Sequence, residues 1–266
     1  MTIEQIIKAR HSVRSFDGCP VLADISASLK SVETQVFNPF KAPYQFIFHT
    51  FDAKAEAHPG TYGVIRNAST YILVGVQPDN PLSYMAAGYS LERMLLHAVG
   101  MGLGYCWMGG TFRGNDFVKA VKFDTPLHLR LIIPIGYPAD RIRLTERLAK
   151  ALFRSNSRKP FDTLFSQYEF GEHIPASSPY STALEMMRLA PSSLNSQPWR
   201  ALVDGDKVHF YGRISNILNY TDIGIAISHF AAVAPSGRFY RTAEAPANDK
   251  YTYIITYSGD GGVSAR

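Results

Sequence analysis

The chain has 266 residues, 46% hydrophobic and 18% charged, a balance that suits a globular protein and argues against a disordered one. Its 27 basic and 22 acidic residues leave a net charge of +5, compatible with an anionic ligand such as a phosphate and weak support for nucleic acid. No run reaches the about 18 apolar residues of a membrane span, the first residues are amphipathic rather than signal-like, and Cys19 and Cys106 offer neither a disulfide framework nor metal spacing, so a cytoplasmic protein without a metal site is expected.

In chain order, Thr2 to Ser12 predicts a first helix with Ile3, Ile6 and Ile7 on one face, running into Arg10-His11-Ser12-Val13-Arg14-Ser15-Phe16. Two arginines and two serines beside a helix end make a phosphate cradle or a solvated terminus, since guanidinium forks match phosphate oxygens. Asp24 to Gln35 predicts a second helix, ended by Asn38-Pro39. Tyr44 to Phe51 alternates like a strand, and Ala68 to Val76 reads as a buried one. Leu82 to Met101 carries Leu91, Met94, Leu95, Ala98 and Met101 along one stripe, which core packing explains.

Gly100 to Gly110 (Gly-Met-Gly-Leu-Gly-Tyr-Cys-Trp-Met-Gly-Gly) is not a dinucleotide fingerprint. Residue 105 is Tyr, and the glycines follow a helix where that motif needs a strand. Leu129 to Ile135 predicts another buried strand, followed by Gly136-Tyr137-Pro138, Arg141 and Arg143. Most of the seven basic residues between Arg141 and Lys159 read as a solvated helix face; a nucleic-acid stripe lacks aromatic interleaving. From Phe161 a helix is expected up to Pro191. Trp199 to Val203 and Val208 to Tyr211 follow as strands, Tyr220 to Val233 as an apolar helix and Lys250 to Tyr257 as a strand, with Ser258 to Arg266 a loose tail.

The segment Arg188 to Arg200 sits where helix gives way to strand. Pro191 and Pro198 bracket Ser192, Ser193, Asn195, Ser196 and Gln197, which form either a connecting loop or a holder for a flat ligand rich in hydrogen-bonding groups. Pro191-Ser192-Ser193-x-Asn195-x-Gln197-Pro198-Trp199 resembles the P-S-S-x-N-x-Q-P-W segment of FMN-dependent nitroreductases. The Arg10/Ser12/Arg14 motif, the segment ending Trp107-Met108-Gly109-Gly110 and the Gly-Tyr-Pro run before Arg141 and Arg143 are similar to that family's other motifs.

The resemblance implies an α+β nitroreductase-like fold with FMN held by Arg10, His11, Ser12, Arg14, Trp107, Met108, Gly109, Gly110, Arg141 or Arg143, and covered by Pro191, Ser192, Ser193, Asn195 and Gln197. The motifs are partitioned, however. The first half (residues 1–158) has Asn38-Pro39-Phe40 where Pro-Ser-Ser is expected, and the second (159–266) lacks the arginine cradle and the Gly-Gly turn. This resembles the fused two-half bacterial nitroreductases: a pseudo-dimer with one complete site and one decayed site, able to act as a monomer.

The implied activity is ping-pong hydride transfer from NADH or NADPH through FMN to a nitroaromatic, quinone or flavin acceptor. The flavin carries the chemistry, so no catalytic side chain is assigned. A flavin-binding sensor or carrier without turnover, or non-reductive flavin chemistry, is the alternative. The eight histidines show no zinc-like pairing, and there is neither a G-x-S-x-G elbow nor a P-loop.

Overall fold

The computed structural model describes residues 1–51, 60–139 and 157–259. Arg141, Arg143, most of the basic run and residues 260–266 of the expected tail lie outside them. In α1 (Ile3–Ala9) the Thr2 hydroxyl accepts from Gln5 N while Gln5 accepts from Thr2 N, a reciprocal cap. The helix stops three residues short of the predicted Ser12, because Ser12 bridges to Tyr105 and Val13 N donates to the Tyr105 carbonyl at 2.9 Å. Local periodicity loses there to a long-range pairing.

The first half continues with α2 (Ala23–Thr34), β1 (Tyr44–Thr50), β2 (Thr70–Val76), α3 (Pro81–Gly100), β3 (Gly104–Tyr105), α4 (Gly114–Val118) and β4 (His128–Gly136). Its strands form one antiparallel sheet in the order β1-β2-β4-β3. Every residue of β2 is buried, as its near-continuous apolar run predicts. α3 opens on an Asn80 side chain accepting from Leu82 N, with Pro81 in the first turn. It closes where Gly102 takes a φ of 86°.

The second half holds α5 (Phe161–Leu164), β5 (Phe165–Gln167), α6 (Ser181–Arg188), a 3-10 turn (Ser193–Asn195), β6 (Trp199–Asp204), β7 (Lys207–Gly212), α7 (Leu218–Ala231), β8 (Gly237–Tyr240) and β9 (Thr252–Gly259). The expected helix from Phe161 to Pro191 is thus two helices. Phe165, fully buried, leaves the first to pair in parallel with Ala201. The sheet order is β5-β6-β7-β9-β8, with β9 holding Ser258 and Gly259 where a tail was expected.

Each sheet belongs wholly to one half, and α3 and α7 cross between them. On one side α3 packs Tyr84, Ala87, Leu91 and Leu95 into the first half's core; on another, Met85, Ala86 and Tyr89 join the core under the second sheet. The crossing is backbone-close. A Cβ on Gly88 would stand 2.4 Å from the Thr221 carbonyl, and one on Gly224 2.3 Å from the Met85 carbonyl. Thr221 lies three residues before Gly224 and Met85 three before Gly88, so the contact is reciprocal, as a two-fold relation demands. Among the described residues, no helix is long and apolar enough to cross a membrane.

Candidate functional site

A cavity of about 510 Å³ opens between the halves, within the usual range for small-molecule sites. The first half lines it with Arg10, His11, Ser12 and Arg14, and with Trp107, Met108, Gly109 and Gly110. Two pairings bring those stretches together: the Ser12–Tyr105 bridge, and the hydrogen bonds by which Met108 and Ile132 exchange N–H and carbonyl at 3.0 and 2.9 Å. The second half supplies Pro191, Ser192, Ser193 and Asn195.

Arg10 is nine-tenths buried, and its Nε and Nη1 have no partner among the described residues. A buried guanidinium with idle N–H groups is costly unless a ligand supplies acceptors, and an oxyanion supplies them best. Lys8, Arg14 and Arg158 line the same cavity and raise its positive potential. Burial, with the charges of Arg10 and Arg188, lowers Arg158 to about 10. Gly109 is closed in, since a Cβ there would lie 2.9 Å from the Leu218 side chain, whereas Gly110 has nothing within 4 Å. That turn leaves backbone open towards the cavity.

The Pro-Ser-Ser loop is held from several directions. Ser193 N donates to Asp222 Oδ1 at 2.9 Å, Asn195 Nδ2 to the Ser157 carbonyl at 2.9 Å, and Arg158 to the Leu189 carbonyl at 3.1 Å. Leu194, Asn195 and Gln197 sit at φ of 50°, 54° and 49°, left-handed positions that non-glycine residues adopt at a cost of about 1–2 kcal/mol each. The anchors hold that strain in place.

Gln197 does not line the cavity. Its amide accepts from Lys159 N at 2.8 Å and donates to the Asn195 carbonyl at 3.1 Å, so this residue braces the loop from behind. Arg158 and Lys159, the last two residues of the basic run, tie into this loop.

Behind Trp107 lies a polar cluster within apolar surroundings. Glu92 on α3 is fully buried, and Tyr105 OH donates to its Oε1 at 2.6 Å while the Trp107 indole N–H donates to Oε2 at 2.7 Å. His229 on α7 contacts Oε1 through Nε2 at 2.8 Å, and its Nδ1 faces the Met186 carbonyl at 3.2 Å. A carbonyl can only accept, so Nδ1 carries a proton. Burial pushes the Glu92 carboxyl up, but the His229 hydrogen bond and charge, the Arg10 charge and the Tyr105 hydroxyl together hold it below the ordinary value. Burial drives the Tyr105 hydroxyl well above its usual range, with the Glu92 charge adding to it. The cluster fixes the Trp107 ring at the cavity and ties the halves together.

Sequence reasoning missed Cys106, Arg158, Leu218, Thr221, Asp222 and Ile225 as lining residues. A faint signal existed, because Asp222 and Glu92 are carboxylates inside largely apolar helical runs. Burial raises the Cys106 thiol against the charges of Arg14 and Arg10. Among the described residues, no cluster of His, Cys, Asp or Glu has the form of a metal site. The whole arrangement suits a ligand with an anionic end and a flat, hydrogen-bonding body.

A family model described as Putative TM nitroreductase matches residues 2–234. No curated protein matches the sequence. Among solved structures, a putative nitroreductase from Thermotoga maritima is 19% identical, with a TM-score of 0.63 over 97% of this chain and 94% of its own. At that identity the likeness is one of fold. An FMN-dependent nitroreductase from Clostridium difficile (18% identity, TM-score 0.40, 52% of this chain and 88% of that one) and a nitroreductase with bound FMN from Bacteroides fragilis (19%, 0.40, 53% and 91%) match about half of the chain.

Proposed function

Because this chain belongs to the nitroreductase family described as Putative TM nitroreductase, we propose that it is an FMN-dependent NAD(P)H oxidoreductase with one flavin site built across two fused halves. The observation that carries this reading is the buried Arg10 guanidinium, two of whose nitrogens lack partners among the described residues, beside a cavity of flavin-compatible size. The residues present fit FMN. Arg10 and Arg14 form a phosphate cradle with Ser12 as a hydroxyl donor, Gly110 leaves room for close backbone approach, and Ser192, Ser193 and Asn195 offer hydrogen bonds from the other half.

When bound, the flavin supplies the hydride chemistry. The protein's part is positioning and exclusion. Trp107, held by Glu92, fixes one wall, the anchored loop covers from the second half, and Leu131, Leu218 and Ile225 keep part of the cavity dry. Donor and acceptor then share one confined surface, where proximity lowers the barrier. The acceptor class in this reading is a small oxidised molecule such as a nitroaromatic, a quinone or free flavin.

The reading of one decayed site draws support from the first half's own segment. Where the first half carries Asn38-Pro39-Phe40, the Asn38 side chain donates to the Ala86 carbonyl and to Ser90, both at 2.9 Å, and Phe40 packs edge-on against Tyr89 at 6.0 Å. That segment is docked onto α3 by polar anchors and an aromatic contact.

The test is anaerobic addition of NADH, then NADPH, to protein loaded with FMN. The expected outcome is loss of flavin absorbance at a turnover-competent rate, regained on adding a quinone or nitroaromatic. Bound flavin that neither donor reduces would favour a sensor or non-reductive role. Arg10→Ala is expected to weaken FMN binding at least tenfold, with a smaller salt dependence; unchanged affinity would remove the cradle from the account.

A further inference from the structure

Asp222 sits in the first half of α7, between Thr221 and Ile223, and is one of the residues lining the cavity. It is 4% exposed. One carboxyl oxygen is committed, since Oδ1 accepts the Ser193 N–H at 2.9 Å, and that bond fixes the plane of the group. Among the described residues the other, Oδ2, is buried with no partner, and the neighbouring Thr221 Oγ1 is likewise unpartnered. Ile225 and Leu218 beside them offer no polar atoms. An idle buried carboxyl oxygen on a residue that lines the cavity is costly, and it leaves hydrogen-bonding capacity for a ligand to complete.

We propose that Asp222 is a proton-linked ligand-binding group, taking up a proton as the ligand enters and donating through Oδ2 to a carbonyl or imine acceptor on it. This inference rests on the flavin reading above. Two physical effects set the direction. A ligand displaces water from the cavity and deepens the desolvation of the carboxyl, and an anionic ligand adds negative charge nearby; both favour the neutral acid.

The free protein is already poised, because burial raises Asp222 to about 7, against the opposing Ser193 N–H and Asn219 side chain. The charged and titratable groups sharing the cavity are Lys8, Arg10, His11, Arg14, Cys106 and Arg158. On the packed helices, Glu92 and Arg93 stand on α3 and His229 on α7.

The sign follows from linkage. A group that must be protonated to bind gives full affinity below its free-protein pKa and progressively less above it. FMN affinity is therefore expected to fall about tenfold between pH 7 and pH 8.5, a window above the second ionisation of a phosphate monoester near 6.

The experiment is calorimetric titration of apo-protein with FMN at pH 7 in two buffers of different ionisation enthalpy, repeated with Asp222→Asn. Asparagine keeps a carbonyl for Ser193 N–H and an N–H donor for the ligand, but it cannot titrate. Proton uptake on binding in the parent, absent in D222N along with the pH dependence above 7, is the expected result. FMN binding to both proteins with equal proton uptake would overturn this inference while leaving the flavin reading intact. FMN binding to neither protein would overturn both.

Discussion

Glu92 is a carboxylate with no access to water, tolerable only because His229, Tyr105 and Trp107 surround it with hydrogen-bond partners. Removing it leaves a buried imidazole and two orphaned donors. Glu92→Ala should therefore cost about 3–5 kcal/mol of stability in denaturant unfolding. It should also free the Trp107 ring, read as a shift in its fluorescence. Glu92→Gln, which keeps an acceptor for Trp107, should cost less; equal losses would mean the charge rather than the hydrogen bonds matters. The partners of this residue were not legible beforehand. A carboxylate in an apolar helix is visible in the sequence, but its meeting with His229, 137 positions away, depends on how the halves dock. By contrast, Arg10, Ser12, Arg14 and the Pro-Ser-Ser stretch could be singled out by their resemblance to nitroreductase motifs, where residue type alone left a solvated helix end and a connecting loop open.

At the scale of elements, long periodic runs identify themselves. The burial of β2 and the extent of α3 match their sequence patterns within one or two residues, since each carries a sustained apolar pattern flanked by clear breakers. What escapes is short or context-made. β3 has two residues and exists because β4 pairs with it; β5 has three and exists because β6 does. Gln197 was expected at the ligand and instead braces the loop, a choice set by Lys159 N standing 2.8 Å away.

The element contact that positions everything else is the crossing of α3 and α7, where glycines allow backbones to approach. Helix propensity alone would reward Gly88→Ala or Gly224→Ala by up to about 1 kcal/mol. With a Cβ 2.4 or 2.3 Å from a backbone carbonyl oxygen, overpacking should win, for a net loss of about 1–3 kcal/mol. Thermal unfolding decides this, and an unchanged or raised melting temperature in either variant would show that the crossing is looser than described.

For the whole molecule, the account is one of asymmetry within an approximate symmetry. Two sheets flank a reciprocal helix crossing, yet the two halves differ in chemistry: cationic side chains and a Gly-Gly turn in one, an anchored serine-rich cover in the other. Fusion permits this, because a symmetric dimer must keep both of its sites while a single chain can let one decay. The central claim is therefore numerical, a single flavin per chain. Its most direct test is to saturate the apo-protein with FMN, remove the excess by gel filtration, and compare flavin absorbance with protein concentration, with mass measured on the same sample. One FMN per chain, with less retained by the Arg10→Ala variant, is the predicted result. Two per chain would show that the segment around Asn38 and Phe40 still forms a site, and none would separate this chain from flavin chemistry altogether.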